Sequence, residues 1–201
     1  MIAIQNMQFQ QAKTFILTKL KSELPAQLTY HCYDHVIDVY HAAENLGKLE
    51  KINTNEMPLL LTAALFHDSG FIDGAKDHEQ SSCSIAKQYL PGFGYTADDI
   101  EKICGMIMST KLPQLPKSRL EKTIADADLD YLGRDDFFPI SNLLYKEFLD
   151  AGVIKNPDEW NRLQVTFFEN HHYFTESAIK LRQKKKEANL QLIKLNLVNK
   201  I

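Results

Sequence analysis

The segment that most constrains this chain is Leu59-Leu60-Leu61-Thr62-Ala63-Ala64-Leu65-Phe66, an unbroken apolar run that stops at His67-Asp68-Ser69-Gly70. Leucine and alanine are strong helix formers and Thr62 is the lone β-branched residue. No polar face interrupts the run, so it predicts a helix buried on every side. Such a helix carries an imidazole and a carboxylate into the interior. Both are costly to bury unless paired, hydrogen-bonded or bound to a metal, so the rest of the chain must bring compensating groups to that point. Neighbouring helical residues point about 100° apart. His67 and Asp68 can therefore share one ion only at a frayed or kinked helix end, which Gly70 permits.

The remaining sequence predicts further helices and no convincing strand. Phe9, Ala12, Ile16 and Leu20 keep helical spacing up to Pro25. Cys32, Val36, Val39, Ala43 and Leu46 form one stripe of a helix over residues 30–46, with Gly47 as its stop. His31 and His35, four apart on that helix, share a side. Asn55 caps the apolar helix and Pro58 fits its first turn. Gly70, Asp73 and Gly74 form a loop, and a helix over residues 77–90 then carries His78 and Glu79 near its start. Thr96 with Asp99 resembles a capping box, and Ser118 with Glu121 caps a further helix. Between them Pro113 and Pro116 exclude helix. Helices over residues 135–149 and 157–172, and a long one from Thr175, complete the chain. The leucines of residues 190–197 fit period two as well as helix and are read as helix. Phe137, Phe138, Trp160, Phe167 and Phe168 are read as core. The expectation is an all-α fold, one helical domain over residues 1–201 with a C-terminal helical extension.

Three further features bear on chemistry. Asp126, Asp128 and Asp130 crowd one predicted helix and repel one another unless a positive group lies near. Together with His31, His35, His67, Asp68, His78 and Glu79 they make a mixed imidazole and carboxylate set. That set suits a divalent ion such as Mn, Fe, Mg, Ni or Zn, and the lack of thiolates argues against a structural zinc. Cys32, Cys83 and Cys104 are odd in number and contain no CxxC pair, which fits a reducing cytoplasm rather than a disulfide framework.

A net charge of -3 and a pI near 6.2 give no general pull toward nucleic acid or anionic membrane. No segment reaches the ~18 consecutive apolar residues of a membrane span. Met1-Ile2-Ala3-Ile4-Gln5-Asn6 lacks the basic start and long apolar core of a signal peptide. The expectation is a cytoplasmic protein with a small phosphorylated substrate and neither nucleic acid nor membrane as partner. Self-association as a homodimer through residues 190–197 is left open.

The order Tyr30-His31-x-x-x-His35-x-x-x-Val39, then Leu65-Phe66-His67-Asp68, then Ile124-Ala125-Asp126-Ala127-Asp128-Leu129 resembles the HD superfamily of metal-dependent phosphohydrolases, over residues 28–135. The resemblance implies an all-α bundle that holds one or two divalent ions through His35, His67, Asp68 and a distal aspartate. The broader family motif, Ala-Asp, favours Asp126 for that last place. The cyclic-nucleotide phosphodiesterase branch, with Ala-Asp-Leu, favours Asp128, and a helical wheel also sets Asp128 among Leu120, Ile124, Tyr131 and Leu132. Asp126 is taken first and Asp128 close behind, the other being free to orient a ligand.

The pattern Tyr30-His31-x-x-x-His35 also resembles the phosphodiesterase branch, which makes His31 the proton donor. The implied reaction is hydrolysis of a phosphate ester of a small, nucleotide-like compound at a site that Asp68 helps to hold. The ion lowers the pKa of its water from ~15.7 toward ~7, the resulting hydroxide attacks phosphorus, and His31 assists the leaving alkoxide. His78 and Glu79 either bind a second ion or hydrogen-bond the attacking water. Ser69-Gly70-Phe71 follows Asp68 where some branches carry an acid. That departure keeps two alternatives in view, a cyclic-nucleotide-type phosphodiesterase and a non-hydrolytic metal or nucleotide sensor. Asn170-His171-His172 with Arg182 and Lys184-Lys185-Lys186 is read as a solvated charge run rather than a phosphate site.

Overall fold

A computed structural model describes residues 7–198. Residues 1–6, on which the signal-peptide reading rests, lie outside the described residues. The helices are α1 (Phe9–Glu23), α2 (Tyr33–Leu49), α3 (Met57–Phe66), α4 (His78–Tyr89), α5 (Ala97–Met108), α6 (Arg119–Asp128), α7 (Phe137–Asp150), α8 (Pro157–Asn170) and α9 (Glu176–Val198). Short 3-10 turns cover Ser69–Ile72, Leu90–Phe93 and Asp130–Gly133. No strand occurs among the described residues, so the fold is all-α.

The apolar run forms α3, and every residue from Leu59 to Phe66 is buried. It packs against α1, α2 and α5. Burial of a single leucine or phenylalanine there contributes about 1.5–3 kcal/mol, which is why this helix needs no polar face. Thr96 with Asp99 and Ser118 with Glu121 both close as capping boxes and fix where α5 and α6 begin. Asn53, rather than Asn55, turns the chain into α3, its Oδ1 accepting from the backbone N–H groups of Asn55 and Glu56, both at 3.0 Å.

Gly47 does not stop α2, which runs on to Leu49. A Cβ there would stand 2.9 Å from the Met57 side chain and 3.0 Å from that of Leu60, so the residue is small because α3 crosses close by. At its other end α2 begins only at Tyr33. His31 therefore precedes the helix in a bend, and its ring meets that of His35 edge-on at 6.1 Å instead of standing one turn above it.

A second cluster, with Leu132, Phe137, Phe168 and Ile193 at its centre, joins α7, α8 and α9. The C-terminal helix is packed rather than extended. Arg182 lies on Asp130 at 2.7 and 3.0 Å, and Asn189 donates to the carbonyls of Leu132 and Arg134. Gly133 lets it approach, since a Cβ there would fall 2.4 Å from the Arg182 carbonyl oxygen. Leu192 and Leu195 remain exposed on the outer side. Cys32, Cys83 and Cys104 are free thiols. No described helix is long and apolar enough to cross a membrane.

Candidate metal centre

The helical conformation of α3 ends at His67, with φ -55° and ψ -40°, and Asp68 turns out of it at φ -103° and ψ 8°. This kink brings adjacent side chains to one point, with His67 Nε2 3.2 Å from Asp68 Oδ2. His35, in the first turn of α2, places Nε2 3.4 Å from Asp68 Oδ2 and 3.4 Å from His67 Nε2. Asp128, the last residue of α6, adds Oδ1 at 3.3 Å from His35 Nε2 and 3.4 Å from His67 Nε2. Three helix ends thus converge on one small volume.

These contacts do not make a satisfied hydrogen-bond network. His67 Nδ1 is 2.8 Å from the Ala64 carbonyl, to which it donates, so Nε2 turns a lone pair toward the carboxylates. Asp68 Oδ2 is buried and accepts no hydrogen bond. Lone pairs facing lone pairs in a dry interior call for a cation. Donor atoms held at about 2.1 Å from a small divalent ion stand roughly 3.0 to 3.4 Å from one another in octahedral or tetrahedral arrangements. The spacing of His35, His67 and Asp128 fits such an ion, Asp68 Oδ2 stands at the same spacing from the two imidazoles, and the donation of His67 to a backbone carbonyl is the orientation a ligating imidazole needs.

The electrostatics agree. Burial alone would lower the pKa of His67, but the carboxylates of Asp68 and Asp128 outweigh it and hold it well above the histidine range. Burial likewise pushes both acids upward, and the facing imidazoles overcome it. Asp68 is held well below the usual carboxylate range by His67, His78 and His31, and Asp128 is lowered to about 2 by His35 and His67. Without an ion the cluster attracts positive charge as protons.

The other oxygen of Asp68, Oδ1, lies 3.4 Å from His78 Nε2, which is 3.5 Å from Glu79 Oε1. Both residues start α4, and the Gly70 N–H, donated to Ser82 Oγ at 2.8 Å, ties that helix to the turn after Asp68. His31 Nδ1 pairs closely with Glu147 Oε1, while Glu147 Oε2 accepts from the backbone N–H groups of Tyr30 and His31 at 2.9 and 3.1 Å. The Phe71 ring stacks on His31 at 4.2 Å and on His78 at 4.1 Å. His31, Asp68, His78, Glu79 and Asp128 all line a cavity of about 420 Å³.

The fold that carries these side chains occurs in solved structures. A predicted HD superfamily hydrolase from an uncultured Thermotogales bacterium superposes with a TM-score of 0.63 at 20% identity, over 92% of this chain and 91% of that one. The fold is the HD-domain fold. The YpgQ protein of Bacillus subtilis matches with a TM-score of 0.68 at 20% identity over 96% of this chain and 98% of its own. Its complex with ADP matches at 0.67 and 20%, over 96% and 97%. No protein-family model and no curated protein matches the sequence. The likeness to the HD-domain structures is one of fold, and the chemistry rests on the residues of this chain.

Within that fold the structure does not bring Asp126 to the cluster, which corrects the preference for it over Asp128. Its Oδ1 accepts from Phe174 N–H at 2.9 Å, and its Oδ2 accepts from Thr175 N–H at 2.8 Å and Thr175 Oγ1 at 2.6 Å. Two residues along α6 is about 200° of rotation, so Asp126 and Asp128 face opposite ways. Asp126→Ala leaves three donors without an acceptor and is expected to destabilise the protein by about 2 kcal/mol or more while metal content is retained; denaturation and metal analysis of the same sample check both.

Burial pushes the Asp126 carboxyl up to about 6, although its three donors favour the anion. A raised folded-state pKa means that the native protein binds this proton more tightly. Its contribution to stability is full below the ordinary value of 3.8 and is lost as the pH rises to about 6. Wild-type protein should lose stability relative to Asp126→Asn across that window.

The third acid, Asp130, is neutralised by Arg182, with Arg134 3.7 Å away. The C-terminal basic run is thus only partly the solvated run expected from the sequence: Lys184 is exposed, but Arg182 binds Asp130, Lys185 binds Asp135, and the buried Lys186 donates to the His171 carbonyl. Glu147, the partner of His31, is the residue at this site that the sequence reading does not include. The available signal was an acid on the same helical face as Leu144 and Phe148, where an unpaired carboxylate would be costly.

Proposed function

We propose that the protein is a metal-dependent phosphohydrolase acting on a small phosphate ester. The observation that carries this reading is the convergence of His35, His67 and Asp128, with the buried Asp68 oxygen that accepts no hydrogen bond against both imidazoles, beside a cavity-lining histidine clamped by Glu147. His35, His67, Asp68 and Asp128 would hold a divalent ion such as Mn, Fe, Mg, Ni or Zn. When bound, it supplies a Lewis acid that offsets charge on a phosphoryl oxygen and acidifies water. His78 lies on the second oxygen of Asp68 and beside Glu79, so His78 and Glu79 could help to hold a second ion or hydrogen-bond a water.

The protein's own groups divide the proton work. Glu147 holds the Nδ1–H of His31 and leaves Nε2 to carry the proton that the leaving oxygen takes as its bond to phosphorus breaks. Glu79 is the acceptor for the proton that the attacking water loses. An acid is thus supplied from the start of α4 rather than directly after Asp68, which favours turnover over a silent sensor. A nucleotide-like substrate is supported by the ADP complex of the similar Bacillus subtilis protein and by the aromatic side chains that line the cavity.

The direct test is phosphate release from a panel of phosphate monoesters and cyclic diesters after chelation and reloading with each metal in turn. Absence of release with every metal would overturn the reading. His31→Ala is expected to retain metal and lose about 100-fold or more in kcat, since general acid catalysis is worth that much. Glu147→Gln should lose roughly tenfold, because the clamp on Nδ1 weakens while Nε2 remains in place. A loss of metal in either variant, read by mass spectrometry of the dialysed protein, would place His31 among the ligands instead.

A further inference from the structure

The cavity extends well beyond the metal centre. Its other wall comes from α7 and α8, where Leu144, Phe148, Trp160, Leu163 and Phe167 line it. Residues that look like ordinary core in the sequence thus face a space open to the reacting centre. Besides the indole N–H of Trp160, Gln164 is the one hydrogen-bonding side chain that α7 and α8 bring to this wall. It is already engaged, its Oε1 accepting from Ser141 Oγ at 2.6 Å and its Nε2 donating to Asn161 Oδ1 at 3.4 Å.

Charge is distributed as unevenly as polarity. Asp68, Asp77, Glu79 and Asp128 line the cavity, and Lys111 is the one lysine or arginine that does so. Its Nζ lies 2.8 Å from Asp77 Oδ1. A single phosphoryl group can be matched by a divalent ion at the centre. A second or third phosphate would meet carboxylates and one lysine whose charge is already balanced.

We propose that this wall receives a flat, uncharged aromatic group carried on a single phosphoryl group, and recognises it by its faces rather than by hydrogen bonds to its edge. The inference rests on the phosphohydrolase reading and names its substrate class. Aromatic pairs add about 0.5–1.5 kcal/mol to the burial of their area and are indifferent to the pattern of donors on the rim. Sites built to hydrogen-bond a substrate discriminate by about 10⁴-fold or more, whereas apolar pockets separate similar groups by roughly 10–200-fold. The wall of α7 and α8 belongs to the second kind.

Phosphate release by the Mn-loaded protein provides the test. The substrates are the monophosphates of adenosine, guanosine, cytidine and uridine, adenosine diphosphate, 1-naphthyl phosphate and glycerol phosphate. The four nucleoside monophosphates should agree in kcat/KM within about tenfold, and the diphosphate should fall about tenfold or more below the adenosine monophosphate. Naphthyl phosphate above all four identifies a simple aryl ester, and nucleotides above it identify a nucleobase; either result upholds the inference. Leu163→Asp, at a position 41% exposed, should raise KM for the aromatic substrates about tenfold, and by a larger factor than for glycerol phosphate, which meets the added charge but not the lost apolar contact.

Trp160 is the one tryptophan of the chain, so its fluorescence reports occupancy without turnover. A phosphonate that has no ester to hydrolyse, 4-nitrobenzylphosphonate, should quench it saturably, and more weakly in Leu163→Asp. A base preference beyond about 100-fold, a preferred diphosphate or the absence of quenching overturns the inference and leaves the hydrolase reading standing. Saturable quenching with no metal-dependent release from any ester overturns the hydrolase reading and leaves the aromatic wall assigned.

Discussion

Asp68→Ala is expected to yield a folded protein that retains no stoichiometric metal after dialysis and shows no hydrolysis above background. Loss of an outer partner of a metal ligand typically costs about 10–100-fold in affinity, and loss of Asp68 should cost about 1000-fold or more. Its Oδ2 stands 3.2 and 3.4 Å from the two imidazoles, and its Oδ1 faces His78. The substitution therefore removes the one carboxylate that links the cluster to the start of α4. Without it, His35 and His67 face each other at 3.4 Å with Asp128 alone to balance a cation. Titration calorimetry with Mn and metal analysis check the affinity, and circular dichroism checks the fold. Full metal content in this variant would remove Asp68 from the ligand set and sink the proposed mechanism.

Gly70→Ala should be the most damaging substitution of a single methyl group. The added Cβ would fall 1.9 Å from the His78 carbonyl oxygen, 2.8 Å from its carbon and 2.8 Å from the Ser81 Cβ. Two of these are backbone atoms of α4 and cannot rotate away. Overpacking costs about 1–3 kcal/mol where side chains can adjust, and a clash with fixed backbone belongs at or above the top of that range. The movement that relieves it must carry His78 and Glu79 away from Asp68. It also strains the bridge in which Ser82 Oγ accepts from Gly70 N–H and donates to the His67 carbonyl at 2.6 Å. Denaturant unfolding should show the loss, and activity should fall even where the protein stays folded. A variant within about 0.5 kcal/mol of wild type would show that α4 is free to shift.

The apolar run, its ending in His67 and Asp68, and the helices that deliver His35 and the distal aspartate were legible because each is a local pattern. A buried helix with no polar face announces itself through composition alone. Gly70 was read as permitting a kink, yet its tighter constraint comes from α4, whose approach no local pattern reveals. The choice between Asp126 and Asp128 had the same character. The helical wheel pointed to Asp128, and only the position of Phe174 and Thr175 shows why Asp126 is buried without serving the cluster. Glu147 lies 116 residues from His31, and periodicity ranks faces within a helix without pairing helices across the chain. The aromatic wall was hidden for a related reason. Residues that line a cavity and residues that fill a core obey the same apolar spacing.

The bond between Asp126 and the backbone at Phe174 and Thr175 spans 48 and 49 residues. A growing chain acquires His35, His67, Asp68 and Asp128 well before it reaches that contact. The helix that presents Asp128 is anchored from its opposite face by residues made late, at the entrance to α9. Synthesis therefore delivers the donor atoms before the contact that holds α6 from its other side. A ribosome-bound chain that stops short of Phe174 carries all four of these side chains, while Asp126 on the opposite face of α6 still lacks the backbone donors that hold it.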